Sequence, residues 1–93
     1  MGEHKKGCKT RIFPLTVTTI AQELVKENPK RAGLLVVNNG TGTVYILSGQ
    51  SQKYTDGIPV GTSEPYDNDT TTAALWIIAS SGSQDVRVEE DGE

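Results

Sequence analysis

The chain has 93 residues, a net charge of −3 at pH 7 and one cysteine, Cys8. That length suits a single domain, and a lone thiol excludes an intrachain disulfide. The near-neutral balance argues against a nucleic-acid partner, and no apolar run is long enough to cross a membrane as a helix or to form the centre of a signal peptide.

Residues 1–10 are polar and read as a flexible basic arm carrying Lys5, Lys6 and Lys9, ahead of a β domain over residues 11–93. From Arg11 to Ile20, Leu15 and Val17 alternate with Thr16 and Thr18, the period of a strand with one buried face. Pro14 cannot donate to a ladder, so it predicts an edge strand or a strand start. Gln22–Val25 fits either a short strand or a helical turn. Pro29 disfavours helical geometry at Asn28, which tips the choice toward strand.

Leu34–Val37 and Val44–Leu47 are strongly β-forming and flank Asn38-Asn39-Gly40-Thr41-Gly42. Asn and Gly tolerate the positive φ of tight turns, so this segment predicts an antiparallel hairpin. Gly49–Gly57 reads as a loop or an exposed edge. Ile58-Pro59-Val60 is a short apolar step, Glu64–Asp67 a short strand, and Asn68-Asp69-Thr70 a turn. Ala73–Ala79 is the most apolar segment and predicts a central strand, with Trp76 in the core. Gln84–Glu90 alternates, Val86 and Val88 inward against Asp85, Arg87 and Glu89 outward. Short strands separated by turn signals predict an all-β fold, a small antiparallel β-sandwich or jelly-roll-like barrel.

Chemistry-bearing patterns are sparse. His4 is the only histidine and has no companion ligands beyond Cys8, so neither a metal site nor a nucleophilic constellation is expected. Asp56, Glu64, Asp67 and Asp69 fall in one stretch, but Asp67-Asn68-Asp69 lacks the Gly and distal Glu of a calcium loop. Gly40-Thr41-Gly42 runs into a strand rather than the helix that a phosphate loop needs. No cofactor and no catalysis are expected. The termini are oppositely charged: residues 1–11 hold four basic residues against one acidic, and residues 85–93 five acidic against one basic. Solvated tails are the simpler expectation, and pairing between copies the alternative.

Apolar residues are 34% of the chain, below the ~45–50% of ordinary domains. So thin an interior predicts support from oligomerisation or from docking on a larger assembly. Lys5, Lys6, Lys9 and Arg11 are candidate partner contacts, together with strand edges. Tyr54 in a polar loop and Tyr66 beside the acidic stretch are candidate surface aromatics.

In order along residues 16–90, the chain carries Asn28-Pro29-Lys30-Arg31, the apolar strand Leu34–Val37, Asn38-Asn39-Gly40 and Val44-Tyr45-Ile46. Ala74-Leu75-Trp76, Ala79, Ser81-Gly82 and Val86-Arg87-Val88-Glu89 follow. In that order the chain resembles small virion-associated β-sandwich proteins of tailed bacteriophages. Relatives place a Gly-Glu turn after the Ile-Pro step, where this chain has Gly61-Thr62-Ser63-Glu64. The resemblance implies a capsid-decorating module, assembled in the bacterial cytoplasm, that binds the major capsid protein or other virion proteins. A homotrimer would match the threefold symmetry of capsid lattices. The alternative is a carbohydrate- or receptor-binding module of a fibre or tail, using Tyr54, Tyr66 and residues 64–69.

Overall fold

The computed structural model describes residues 9–92. Eight strands follow one another: β1 (Lys9–Val17), β2 (Gln22–Val25), β3 (Arg31–Asn38), β4 (Val44–Leu47), β5 (Ile58–Val60), β6 (Pro65–Asn68), β7 (Leu75–Ala79) and β8 (Gln84–Gly92). A 3-10 turn at Tyr54–Asp56 interrupts the β4–β5 connection. The strands form two four-stranded antiparallel sheets, ordered β1-β8-β3-β6 and β2-β7-β4-β5.

The order is that of a long hairpin rolled up on itself. Its tip is the β4–β5 pair, and its two arms pair successively as β3–β6, β2–β7 and β1–β8. Rolling then lays β3 against β8 and β4 against β7. The result is an eight-stranded jelly roll, a β-sandwich of the type expected from the sequence.

The core lies between the sheets. Leu34 and Val36 of β3 and Val86 and Val88 of β8 face Val44, Ile46, Val60, Ile77 and Ala79 of the other sheet. Each Val, Leu or Ile among them, fully buried, stabilises the fold by about 1.5–3 kcal/mol. The expected alternations hold: Phe13 and Leu15 pack against this cluster and Val17 belongs to it, while Asp85 and Arg87 are exposed. Pro14 stands in an edge strand, Gln22–Val25 is a strand, and β7 is flanked on both sides.

Three expectations are corrected. Leu34–Val37 and Val44–Leu47 do not form a hairpin; they belong to different sheets. Both sides of β3 are taken by β8 and β6, and both sides of β4 by β7 and β5, so the intervening residues arch across the sandwich. The arch is held by Asn38, fully buried, rather than by positive φ. Its Nδ2 donates to the Gly42 carbonyl (2.7 Å) and the Val60 carbonyl (3.0 Å), and its Oδ1 accepts from the Gly40 amide (2.8 Å). Gly40 and Gly42 are needed for a different reason from the one expected: a Cβ at either would run into the Gln84 side chain. Second, β1 begins at Lys9, so the last two residues of the stretch read as an arm are strand, registered with Gly92 and Asp91. Third, Trp76 is only half-buried and lies on the outer face of its sheet, since Leu75, Ile77 and Ala79 supply the core side of β7.

Candidate partner-binding surface

The β1–β8 pairing explains the opposed charge of the termini. It sets Thr10 beside Asp91 and Arg11 beside Glu90 within one chain. Thr10 Oγ1 donates to Asp91 Oδ1 (2.8 Å), and Arg11 Nη2 reaches Glu90 Oε1 at 2.6 Å. The described ends are therefore joined to each other rather than left as solvated tails.

Glu90 has a second, deeper partner that sequence reading missed. Arg31 opens β3 with its side chain wholly buried, and its Nε lies 2.8 Å from Glu90 Oε2. The remaining guanidinium donors go to the carbonyls of Thr71 (3.1 Å), Ala73 (3.0 Å) and Lys26 (2.5 Å). A buried guanidinium is tolerated because each of its three nitrogens donates to an acceptor. Burial pushes the Glu90 pKa up. Hydrogen bonds from Arg11 and Arg31, with their charges, outweigh that and hold it below the ordinary glutamate value. Strict alternation from Leu34, Val36 and Asn38 would turn Arg31 outward; the register shift between Arg31 and Gly33 brings it inward, so the period of the strand gave no signal for it.

Beside this cluster a groove opens between β1 and β2, with a volume of about 540 Å³. Phe13, Leu15, Leu24 and Val25 form its apolar part, and Arg11, Glu23, Lys26, Glu27 and Glu90 its polar rim. Arg11 sits 4.5 Å from the Phe13 ring centroid, so the guanidinium also stacks on an aromatic face at the groove wall. Lys9, the first described residue, starts β1 two positions before Arg11.

The structure places the candidate contacts unevenly. Lys9 and Arg11 are both exposed on β1; Arg11 lines the groove, and Lys9 lines an adjoining cleft that shares Arg11, Asn28 and Glu90 with it. Lys5 and Lys6, with His4 and Cys8, lie outside the described residues. Tyr54 is exposed on the 3-10 turn, whereas Tyr66 is half-buried on β6 and packs against the core. The Tyr66 hydroxyl accepts a bond from Asn68 Nδ2 (2.9 Å). Asp56, Glu64, Asp67 and Asp69 do not converge. Glu64 caps the Gly61 amide (3.1 Å) and Asp67 points outward opposite Leu35. Among the described residues no three His, Cys, Asp or Glu side chains gather to hold a metal ion, and no helix is long and apolar enough to cross a membrane.

The sandwich has four edge strands: β1, β6, β2 and β5. Pro14, Pro65 and Pro59 occupy three of them, and β2 carries exposed Glu23 at a register shift. Proline, charge and bulges each discourage a further strand from adding to an edge. No family model matches the chain, and no curated protein is significantly similar to it.

Proposed function

We propose that the protein is a structural component of a bacteriophage particle, a capsid-decorating module that acts by binding rather than by catalysis. The observation that carries this reading is the β1–β2 groove. It offers apolar side chains, an arginine already stacked on a ring and a basic segment joining at the same end. A partner chain of the virion, the major capsid protein first among them, would meet Lys9, Arg11 and the segment bearing Lys5 and Lys6.

Two further features support the proposal. The jelly roll is an architecture shared by viral capsid and lectin domains, an analogy of fold that says nothing by itself of activity. Blocked edges suit a subunit that must stay soluble until it meets its site, and repetition on a symmetric particle multiplies weak contacts. A trimer of this chain fits the threefold positions of such a lattice.

The test is a deletion of residues 1–8 combined with particle-binding measurements. Occupancy on purified particles should fall while the melting temperature of the free protein stays at the full-length value. Full occupancy by the truncated protein would refute the role given to this segment. Native mass spectrometry of the free protein should show three chains, and a monomer would remove the trimer from the proposal.

A further inference from the structure

An antiparallel sheet that covers a core on one face ordinarily turns polar residues outward on the other. The β1-β8-β3-β6 sheet does so along β8, with Asp85, Arg87, Glu89 and Asp91, although Ile12, Leu35 and Val37 share that face. The two central strands of the β2-β7-β4-β5 sheet turn no charged residue outward. Tyr45 is registered with Ile78 and Pro59, and Leu47 with Trp76. These residues alternate with Val44, Ile46, Ile77 and Ala79, which belong to the core, so they face outward.

Leu47 is only 1% exposed yet is no part of the inter-sheet cluster, so it is covered from outside. The cover comes from residues 48–57. A Cβ added at Gly57 would stand 2.7 Å from Leu47 Cδ2, which shows how closely this backbone lies on the sheet. The ring centroids of Tyr54 and Tyr45 are 5.1 Å apart with planes at 54°. Trp76 and Ile78 remain part-exposed beside this cover. Glu23, the register neighbour of Trp76, is exposed and has no hydrogen-bond or ion-pair partner among the described residues.

Size decides what such a face can hold. Four short strands present roughly 300 Å², well under the ~800 Å² per partner of a stable protein interface. The patch instead has the dimensions and chemistry of a small ligand with one apolar and one hydroxylated side. We propose that the outer face of this sheet binds a neutral oligosaccharide of a few pyranose rings. The C–H face of one ring stacks on Trp76. Glu23 accepts hydrogen bonds from its hydroxyls, and Tyr54 closes the opposite side. The exposed carboxylate of Glu23, on the strand next to that of Trp76, rejects anionic sugars by like-charge repulsion. Tyr66, facing the core from β6, takes no part.

Trp76 is the only tryptophan, so its fluorescence reports directly on this face. The full chain is titrated with cellotriose, maltotriose and tri-N-acetylchitotriose, and with sialyllactose as the anionic probe. At least one neutral trisaccharide should shift the emission saturably in the millimolar range, and sialyllactose should not. Glu23→Gln and Tyr54→Ala should each weaken binding about tenfold or more; Glu23→Gln should keep its melting temperature within a degree or so of the parent, and Tyr54→Ala, which also loses its packing on Tyr45, is titrated at a temperature where it is fully folded. The proposal is overturned if none of the three neutral sugars gives a saturable shift, or if Glu23→Gln binds as the parent does. Particle occupancy is a separate readout, so this result leaves the decoration proposal standing or falling by its own test.

Discussion

The β3–β8 pair is fastened by buried polar residues at both ends, and the two fastenings differ in kind. At one end Arg31, at the start of β3, is locked to Glu90, near the close of β8. At the other, Asn38 closes β3 and Gln84 opens β8, both buried and both neutral. Gln84 Oε1 accepts from the Gly42 amide (2.9 Å) and its Nε2 donates to the Ser81 carbonyl (3.2 Å). Both ends draw loops onto the sandwich through side-chain bonds to backbone. They differ in what a lost partner leaves behind: an unpaired charge in one case, an unpaired dipole in the other. A buried charge without its partner costs far more than a buried amide without its own.

That contrast orders the expected effects. Arg31→Ala should be the most damaging, by about 3–5 kcal/mol in denaturant unfolding, because three carbonyls lose their donor and Glu90 keeps only the exposed Arg11 as its partner. A loss below about 1 kcal/mol would make the charged end no stronger than a surface ion pair. Asn38→Ala should cost about 1–3 kcal/mol, as the Val60 carbonyl and Gly40 amide lose bonds in a buried arch. Acid should separate the ends without mutation. The Glu90 pKa is lowered on folding, so its contribution is complete above the ordinary glutamate value and is lost as pH falls through the lowered one. Glu90→Gln should therefore flatten the acid limb of a stability–pH profile, while Gln84→Ala leaves its shape intact. Gln84→Ala itself should cost about 1 kcal/mol. Arg11→Ala should be mildest, under about 1 kcal/mol, since its side chain is 61% exposed.

Much of the strand inventory was legible because alternation is a local property. Val86 and Val88 against Asp85 and Arg87, or Leu15 and Val17 against Thr16, declare a buried and a solvated face without reference to any partner. Pro14 declared an edge for the same reason: a missing N–H is a fact about one residue. The Asn38–Gly42 segment misled because turn chemistry is shared by hairpins and by arches between sheets, and only the partners of β3 and β4 distinguish them. Trp76 misled because an apolar run looks the same whether its second face is covered by another layer or by a loop such as residues 48–57. In the candidate surface, Lys9 and Arg11 were legible as basic residues. The groove beside them was not, since β1 and β2 form it from opposite sheets.

The sequence by itself determined that this chain is built of short strands with one apolar face each, and where most of them begin and end. Periodicity and turn residues act over a few positions, so they survive in the linear code. Only the tertiary structure decided which strands pair, that Arg31 and Glu90 meet across 59 positions, and that Tyr45, Leu47, Trp76 and Ile78 gather on one outer face. Those are contests among distant partners for the same edges and the same buried space, and the rolled hairpin wins because it lets every inward face reach one core while bonding the polar groups that are buried with it.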